Sequence, residues 1–347
     1  MRAIALAILL NGFFAFATLA AGQEKHIVVI VWDGMRPDFI TDQHTPVLHR
    51  LAQQGVFFAN HHPVFPSATE VNGTAISTGA YPAHSGLMAN KEYRPRINLL
   101  KPLSTESREA VRGGDRLTNG RYLNLPTLAE IVQSAGLKTA VAGTKPVALL
   151  HDRRERKDES AAGTILCFDS TLPANCWDRL VRDLGPYPNY ASPNAGRDAW
   201  TTRALTGPFW KAGLPTFSLL WLSEPDFTQH DTGPGSQTSL AALKSSDTNL
   251  GRVLDELDRL GLRATTDVLV VSDHGFSTIA KTVDIAQTLQ DAGFTATRDF
   301  FDPPAKDDVL VVSNGGATLL YVIGHDLTLI RNVVAVLQHQ EDRKSVV

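Results

Sequence analysis

The sequence predicts an α/β fold in which a largely parallel central sheet is flanked by helices. Continuous runs of apolar and β-branched residues at 26–32 and 216–222 are typical of buried strands, and the run at 268–271 also predicts a strand. Segments with a helical spacing of apolar residues separate such runs, and the longest of them lies at 240–260. Strands that alternate with helices along a chain predict a parallel sheet with helices packed against it.

The composition is that of a soluble globular protein, and 347 residues are enough for one large core with insertions. Hydrophobic residues make up 43% of the chain and charged residues 20%, and the formal net charge is −3. No basic tract rises above this background. The sequence therefore predicts no nucleic-acid-binding surface.

Residues 1–22 have the pattern of a secretory signal peptide. Arg2 is followed by an apolar stretch and then by small residues at Ala20-Ala21-Gly22. An uncleaved membrane anchor is the alternative, but the apolar stretch is barely long enough to span a bilayer. We therefore expect a secreted or periplasmic protein with no stable membrane span after signal removal.

The elements of the first half follow from local signals. A helix is expected to begin at Pro46, because proline is favoured at the first helical position, and to stop at Gly55. Residues 56–58 predict a short strand. A turn then leads into a helix that begins near Thr69 and stops at Gly79.

In the second half, apolar residues at helical spacing predict a helix over 126–136, and the run at 137–142 predicts the strand after it. The helix at 240–260 stops at Gly261. Beyond the strand at 268–271, shorter patterns predict helices near 285–289 and 327–337 and strands at 309–312 and 318–323.

Two irregular regions interrupt this alternation, at about 88–123 and 148–205, where no period is sustained. We interpret them as two parts of one cap that shapes the substrate pocket. The second region contains Cys167 and Cys176, which are the only cysteines in the chain. Their short separation in an exported chain predicts a disulfide bond.

A turn with hydroxyl side chains at Ser67 and Thr69 precedes the helix that stops at Gly79. The first N–H groups of a helix are unpaired and lie at the positive end of its dipole, so an anion is favoured there. A hydroxyl in that place can attack phosphorus if its pKa is lowered. A helix N-cap is the alternative role, since Ser and Thr are common caps.

Acidic residues and histidines follow the ends of three predicted strands. In chain order they are Asp33, Asp226, His230, Asp273 and His274. The carboxyl ends of parallel strands meet at one edge of the sheet, where open α/β sheets place their sites. A mixture of oxygen and nitrogen ligands suits Zn²⁺ or Mn²⁺ better than Ca²⁺.

Short motifs occur in the same order as these residues. The first half of the chain contains Asp33-Gly34, Arg36-Pro37-Asp38, Phe65-Pro66-Ser67-Ala68-Thr69, Asn72, Ser77-Thr78-Gly79 and Tyr81-Pro82-Ala83-His84-Ser85-Gly86. The second half contains Glu224-Pro225-Asp226, His230-Asp231-Thr232-Gly233-Pro234 and Ser272-Asp273-His274-Gly275. Together they resemble the type I phosphodiesterase/nucleotide pyrophosphatase family, which belongs to the alkaline phosphatase superfamily.

The resemblance implies an alkaline-phosphatase-like sandwich over residues 23–347. It also implies hydrolysis of phosphodiester or nucleotide pyrophosphate bonds through a phospho-threonine intermediate. Thr69 would be the nucleophile, because its spacing to Asn72 is that of the family, and Ser67 is the alternative. Asn72 would donate a hydrogen bond to a phosphoryl oxygen of the substrate.

Two divalent metal ions are implied as well, and Zn²⁺ is the expected metal. The ligands of the first ion would be Asp33, Asp273, His274 and the Thr69 oxygen. The second ion would be held by Asp226 and His230. Family members carry a third histidine for this ion in a His-Gly motif, whereas Asp326 follows His325 here and His339 lies on a predicted helix. We therefore expect that the chain stops within the domain and that the second site lacks a ligand.

Two further departures concern the substrate. Glu70-Val71 stand where diesterases of the family usually have Phe-Pro, which puts an aromatic substrate wall at that place in doubt. Related phosphate monoesterases bind the phosphate dianion with a Lys-x-Arg pair. Lys145 matches the first member of that pair, but Val147 replaces the arginine. A solvated loop is the alternative reading of Lys145.

Two alternative functions stay open. A phosphate monoesterase of the same superfamily is the nearest, and Lys145 is the residue that would discriminate. A degenerate binding protein is the other, since one metal ligand is missing. A sulfatase is excluded, because the Thr69 turn contains no C/S-x-P-x-R motif.

Overall fold

The computed structural model describes residues 24–156 and 162–340. The predicted signal peptide at 1–22 lies outside the described residues. The strands are β1 (His26–Trp32), β2 (Lys91–Glu92), β3 (Leu103–Ser104), β4 (Thr139–Gly143), β5 (Gly163–Cys167), β6 (Ser170–Leu172), β7 (Phe217–Leu222), β8 (Thr266–Val271), β9 (Ala296–Thr297), β10 (Val309–Asn314) and β11 (Ala317–Val322).

The α-helices alternate with these strands along most of the chain. They are α1 (Pro46–Gln54), α2 (Thr69–Thr78), α3 (Pro82–Ser85), α4 (Arg108–Thr118), α5 (Leu128–Ser134), α6 (Cys176–Leu184), α7 (Ala195–Ala204), α8 (Asp226–Thr232), α9 (Gln237–Arg259), α10 (Ile285–Asp291) and α11 (Leu327–Gln338). No helix within the described ranges is long and apolar enough to cross a membrane.

The centre of the molecule is a six-stranded sheet with the order β6-β5-β4-β7-β1-β8. β5 and β6 pair antiparallel, and every other neighbouring pair is parallel. The predicted α/β fold with a largely parallel central sheet is therefore confirmed. The carboxyl ends of β1, β4, β7 and β8 lie at the same edge of this sheet, which is where the candidate residues follow the strands.

The side chains of β1 show how helices cover both faces of the sheet. Val29 and Val31 pack into one core with residues of α2, α4 and α5. Val28, Ile30 and Trp32 point the other way, into a core with residues of α1, α6, α7 and α9. This strict alternation explains why the β1 sequence is apolar at nearly every position.

The predicted limits of α1 and α2 agree with the structure. α1 begins at Pro46 and is followed by Gly55. α2 is followed by Gly79, whose φ of 68° lies in the left-handed region that favours glycine. The strand predicted at 56–58 is wrong: this segment is a loop, and Phe57 and Phe58 are 54% and 75% exposed.

The second irregular region, at 148–205, is part of the core rather than a cap. It supplies β5 and β6 to the central sheet, and α6 and α7 to one of its faces. In the first region, at 88–123, α4 buries Ala110 and Val111 in the core of the other face. Backbone groups of Lys91 in β2 are hydrogen-bonded to the Asn314 side chain of β10. The first region thus joins the central core to a second, three-stranded sheet of order β11-β10-β9.

The expected disulfide between Cys167 and Cys176 is not formed, and both cysteines are buried free thiols. Cys167 ends β5 and packs in the core shared with α2, where its thiol donates to the Pro146 carbonyl at 3.2 Å. Cys176 begins α6, whose Leu180, one turn later, belongs to the core on the opposite face. Nearness in sequence was misleading, because the Cys167 thiol is directed to the Pro146 carbonyl instead of to Cys176.

Candidate active site

The loops that follow β1, β7 and β8 bring three potential metal ligands together. One ligand atom each of Asp33, Asp226 and His274 lies within 4.8 Å of the other two. Asp273 adjoins this group, since its Oδ2 is 3.4 Å from His274 Nε2. Sequence reasoning placed these residues at one edge of the sheet, and the structure brings them together there.

Thr69 completes the group from the start of α2. Its Oγ1 is 3.1 Å from His274 Nε2, and Thr69 is 6% exposed. The N-cap of α2 is Ala68, so the hydroxyl of Thr69 is not used as a helix cap. Ser67 is exposed and forms no hydrogen bond among the described residues. Of the two hydroxyls in the turn, Thr69 is the one that lies in the site.

The ring of His274 is oriented by its neighbour. Nδ1 lies 2.9 Å from the Gly275 carbonyl, a contact in which Nδ1–H donates, and Nε2 therefore faces the site. Burial opposes the charged ring, but Asp273, Asp33 and Asp226 outweigh it and raise the pKa of His274 above its usual value. A metal ion at Nε2 would have to displace that proton.

Each of the three carboxylates keeps one oxygen free. Asp33 Oδ2 accepts a hydrogen bond from the Trp221 indole at 2.8 Å, and Asp273 Oδ1 accepts from Gly34 N–H at 3.1 Å. In contrast, Asp33 Oδ1, Asp226 Oδ1 and Asp273 Oδ2 are buried and accept no hydrogen bond. Buried, unpaired carboxylate oxygens are costly without a cation, so this donor set fits a divalent metal ion.

Lys145 follows β4 and lies between two of these carboxylates. Its Nζ is 2.9 Å from Asp33 Oδ2 and 2.9 Å from Asp226 Oδ2. Burial opposes the charge, but the surrounding carboxylates hold the pKa of Lys145 well above its usual value. Burial and the neighbouring Asp273 raise the pKa of Asp33, whereas Lys145 lowers the pKa of Asp226 despite its burial. Lys145 is therefore part of the site and not a solvated loop residue.

The second set of predicted metal ligands is less complete. His230 Nε2 is 3.4 Å from Asp226 Oδ1, but the His230 side chain is 65% exposed. Its ring packs edge-on against Phe276, with ring centroids 4.8 Å apart. Neither His325 nor His339 belongs to a metal-sized group in the described part of the chain.

The sequence led us to expect that Asn72 donates to a phosphoryl oxygen, but its amide group has partners within the protein. It is 4% exposed, and its amide group donates to the carbonyls of Val64, Pro66 and Ala68 and accepts from Val64 N–H. These contacts hold the loop before Thr69 in shape. They use the amide donors of Asn72 within the protein, so Asn72 supports the loop before Thr69.

Asn90 is a polar residue near Thr69 that sequence reasoning missed. Its Oδ1 accepts a hydrogen bond from the N–H of Glu70, the residue after Thr69, at 3.0 Å. Its Nδ2 donates to no partner among the described residues. The contact is between positions 20 residues apart in an irregular region, and no periodicity could have revealed it.

Glu70 and Val71 point into the protein and build no substrate wall, since they are 6% and 1% exposed. Burial raises the pKa of Glu70 well above its usual value, and it raises the pKa of the nearby Glu106 to about 7. Aromatic surface comes instead from Phe227, whose ring lies 5.0 Å from Lys145 Nζ and 6.0 Å from the Tyr190 ring.

The turn that carries Asp226 is held by a buried carboxylate that sequence reasoning also missed. Asp198 of α7 accepts hydrogen bonds from Ser223 N–H, Ser223 O–H and Glu224 N–H at 2.9–3.1 Å. Its burial raises its pKa to about 7. Glu224 in turn accepts from Thr228 N–H and O–H at the start of α8. Hydrogen bonds therefore hold the chain both before Asp226, at Ser223 and Glu224, and after it, at Thr228.

We expect Asp198→Ala to lower the free energy of unfolding by about 3 kcal/mol, because three buried donors lose their acceptor. Urea denaturation measures this difference. Asp183→Ala, at an exposed aspartate of α6, is the matched control and should change stability by less than about 0.5 kcal/mol. Equal stability of the two variants would contradict the supporting role of Asp198.

Comparisons with known proteins give the family. The model of the type I phosphodiesterase/nucleotide pyrophosphatase family matches residues 27–344. Human ectonucleotide pyrophosphatase/phosphodiesterase family member 1 is 26% identical over 255 residues, which are 70% of this chain and 22% of that protein. Venom phosphodiesterase of Macrovipera lebetinus is 25% identical over 266 residues, covering 74% of this chain and 26% of that protein.

The chain thus spans about a quarter of the length of these relatives. Among solved structures, murine ectonucleotide pyrophosphatase/phosphodiesterase 5 has the same fold, with a TM-score of 0.61 and 18% identity. That similarity covers 91% of this chain and 71% of the murine chain. The chain belongs to the type I phosphodiesterase/nucleotide pyrophosphatase family, within the alkaline phosphatase superfamily.

Proposed function

We propose that this protein hydrolyses phosphodiester or nucleotide pyrophosphate bonds in a metal-dependent reaction, with Thr69 as the nucleophile. The observation that carries the proposal is the position of Thr69 Oγ1, 3.1 Å from His274 Nε2 in a group of buried carboxylates with free oxygens. A threonine that serves only as a packing residue has no need of such an environment. The family match supports the reaction class.

A metal ion, expected to be Zn²⁺, would be held by Asp33, Asp273 and His274. When bound, it supplies Lewis-acid chemistry that lowers the pKa of a hydroxyl and stabilises developing negative charge on oxygen. The sequence also led us to expect a second ion at Asp226 and His230. Within residues 24–156 and 162–340, two ligands support that second position, and one of them is largely exposed.

The residues of the chain itself perform two tasks. Thr69 Oγ forms a bond to phosphorus as the bond from phosphorus to the leaving oxygen breaks, and the hydroxyl proton passes to solvent. Water then cleaves the phospho-threonine and restores the hydroxyl. The α2 N-terminus favours the negative phosphoryl group, and we assign the free Nδ2 of Asn90, rather than Asn72, as a donor to a phosphoryl oxygen.

The structure favours a diesterase over the alternative phosphate monoesterase. A monoesterase needs a cationic side chain that is free to bind the terminal phosphate dianion. Lys145 is instead held by Asp33 and Asp226 at 2.9 Å each, and Val147 is completely buried. The ectoenzyme and venom relatives support export as a further part of the proposal.

The test is hydrolysis of bis-p-nitrophenyl phosphate and of p-nitrophenyl phosphate by the purified protein, with and without prior removal of metal by EDTA. We expect turnover of the diester, its loss on chelation and its recovery on addition of Zn²⁺. The monoester should be the poorer substrate. Diester hydrolysis that survives complete metal removal would refute the proposal, and a preference for the monoester would favour the alternative.

A further inference from the structure

The two oxygens of the Asp33 carboxylate have different surroundings. Oδ2 accepts a hydrogen bond from the indole N–H of Trp221 at 2.8 Å, and Lys145 Nζ lies 2.9 Å from the same oxygen. Oδ1 accepts no hydrogen bond among the described residues and lies 3.6 Å from His274 Nε2. The contacts within the protein therefore direct Oδ1, and not Oδ2, towards the ligand group that contains His274.

Trp221 can hold this carboxylate because it lies beside Asp33 on the neighbouring strand. β7 pairs parallel with β1, and Trp221 is in register with Val31, two residues before Asp33. The indole and the carboxylate are both completely buried. An indole has a single polar donor at a fixed place in a rigid ring, whereas the Lys145 ammonium stands at the end of a flexible aliphatic stem. Of the two partners, the indole is the one that fixes the direction of the carboxylate.

The ring of Trp221 is itself held by packing. It lies against α2 at Gly73, where a Cβ atom would be only 3.2 Å from Trp221 Cη2 and 2.6 Å from Val147 Cγ2. The buried ring of His151 packs against it as well, with ring centroids 5.4 Å apart. One side chain thus contacts both Asp33 and the helix that begins at Thr69.

We propose that Trp221 is a positioning residue of the metal site: its N–H holds Asp33 Oδ2 so that Oδ1 is presented to the metal ion. The inference rests on the proposed function, since Asp33 is a ligand only if the metal binds there. Outer partners of this kind fix the orientation of a ligand, and their loss typically lowers metal affinity about 10–100-fold. Without the N–H the carboxylate is less restrained, and metal binding has to order it.

The test measures the zinc affinity and the turnover of Trp221→Phe, which keeps an aromatic ring and removes the N–H. We expect the dissociation constant for Zn²⁺, measured without substrate by competition with a chromophoric chelator, to rise about 10–100-fold. At saturating zinc the kcat for the diester should return to near the wild-type value, because the N–H acts through Asp33. Trp221→His keeps an N–H at the same place in a five-membered ring and should recover most of the affinity, which restored packing would not explain.

Trp210→Phe is the matched control. Trp210 is also a buried indole, and its N–H donates to Ser218 Oγ of β7 at 3.0 Å, but it packs in the core on the opposite face of the sheet. This variant should keep the zinc affinity of the wild type. An unchanged zinc affinity in Trp221→Phe, or an equal loss in Trp210→Phe, overturns the inference.

A crystal structure of the zinc-loaded wild type tests the inference without any variant. It should show the metal at Asp33 Oδ1, with Trp221 Nε1 still within about 3.2 Å of Oδ2. A metal bound at Oδ2 in place of the N–H overturns the inference, even if Trp221→Phe does not fold. These outcomes leave the proposed function intact, whereas diester hydrolysis that survives complete metal removal refutes the proposed function.

Discussion

Thr69→Ala is expected to lower turnover of the diester by at least about 1,000-fold, because it removes the atom that bonds to phosphorus. Metal binding should persist, since Asp33, Asp273 and His274 are unchanged. Steady-state kinetics and a zinc titration, made on the same preparation, measure the two properties. Loss of activity with retained metal separates a nucleophile from a residue that only supports the fold.

Two related variants make this result specific. Thr69→Ser keeps the hydroxyl and loses one methyl group, so measurable activity should remain. Ser67→Ala, at the exposed hydroxyl two residues earlier, should behave as the wild type. If Thr69→Ala instead keeps wild-type turnover, the covalent mechanism is wrong and a direct attack by water takes its place.

Asp273→Ala should lose metal and activity together. Even the outer partners of a metal ligand typically change affinity by about 10–100-fold, so removal of a ligand itself should cost more than 100-fold. Asp273 Oδ1 also accepts hydrogen bonds from Gly34 N–H and His274 N–H, and the variant frees both groups. The site would then lose a charge and the support of its neighbouring ligand at once.

The matched control for this variant lies on β8, the strand that precedes Asp273. Asp267 of β8 is exposed, and Asp267→Ala changes the net charge of the protein by the same amount. It should retain the zinc affinity and the turnover of the wild type. Retention of tight zinc binding by Asp273→Ala would show that the metal is held elsewhere.

The sequence was sufficient for the site residues that follow parallel strands of the central sheet. Asp33 follows β1, which is apolar from Ile27 to Trp32, and Asp273-His274 follow β8, so the rule that parallel strands end at one edge placed them together. The sequence did not predict the strands β5 and β6. They have only five and three residues and lie in a region without sustained periodicity. Such short strands depend on their neighbours in the sheet rather than on their own pattern.

The partners of the site residues could not be predicted in the same way. Lys145 was a candidate for phosphate binding, but its actual neighbours come from β1 and β7, and only the folded sheet brings them near. Asn72 and Asn90 are both close to Thr69, and the hydrogen-bond partners of their amide groups depend on which backbone groups the surrounding loops present. Hydrogen-bond directions of this kind are set by tertiary structure.

The contact between Trp221 and Asp33 gives the protein an optical reporter of its own. The Trp221 indole is completely buried, and its N–H donates to the second oxygen of a proposed metal ligand. The emission of a buried indole depends on the electric field around its ring, and a cation at Asp33 changes that field. A cation bound at Asp33 is therefore expected to change the contribution of Trp221 to the intrinsic fluorescence, which it shares with four other tryptophans.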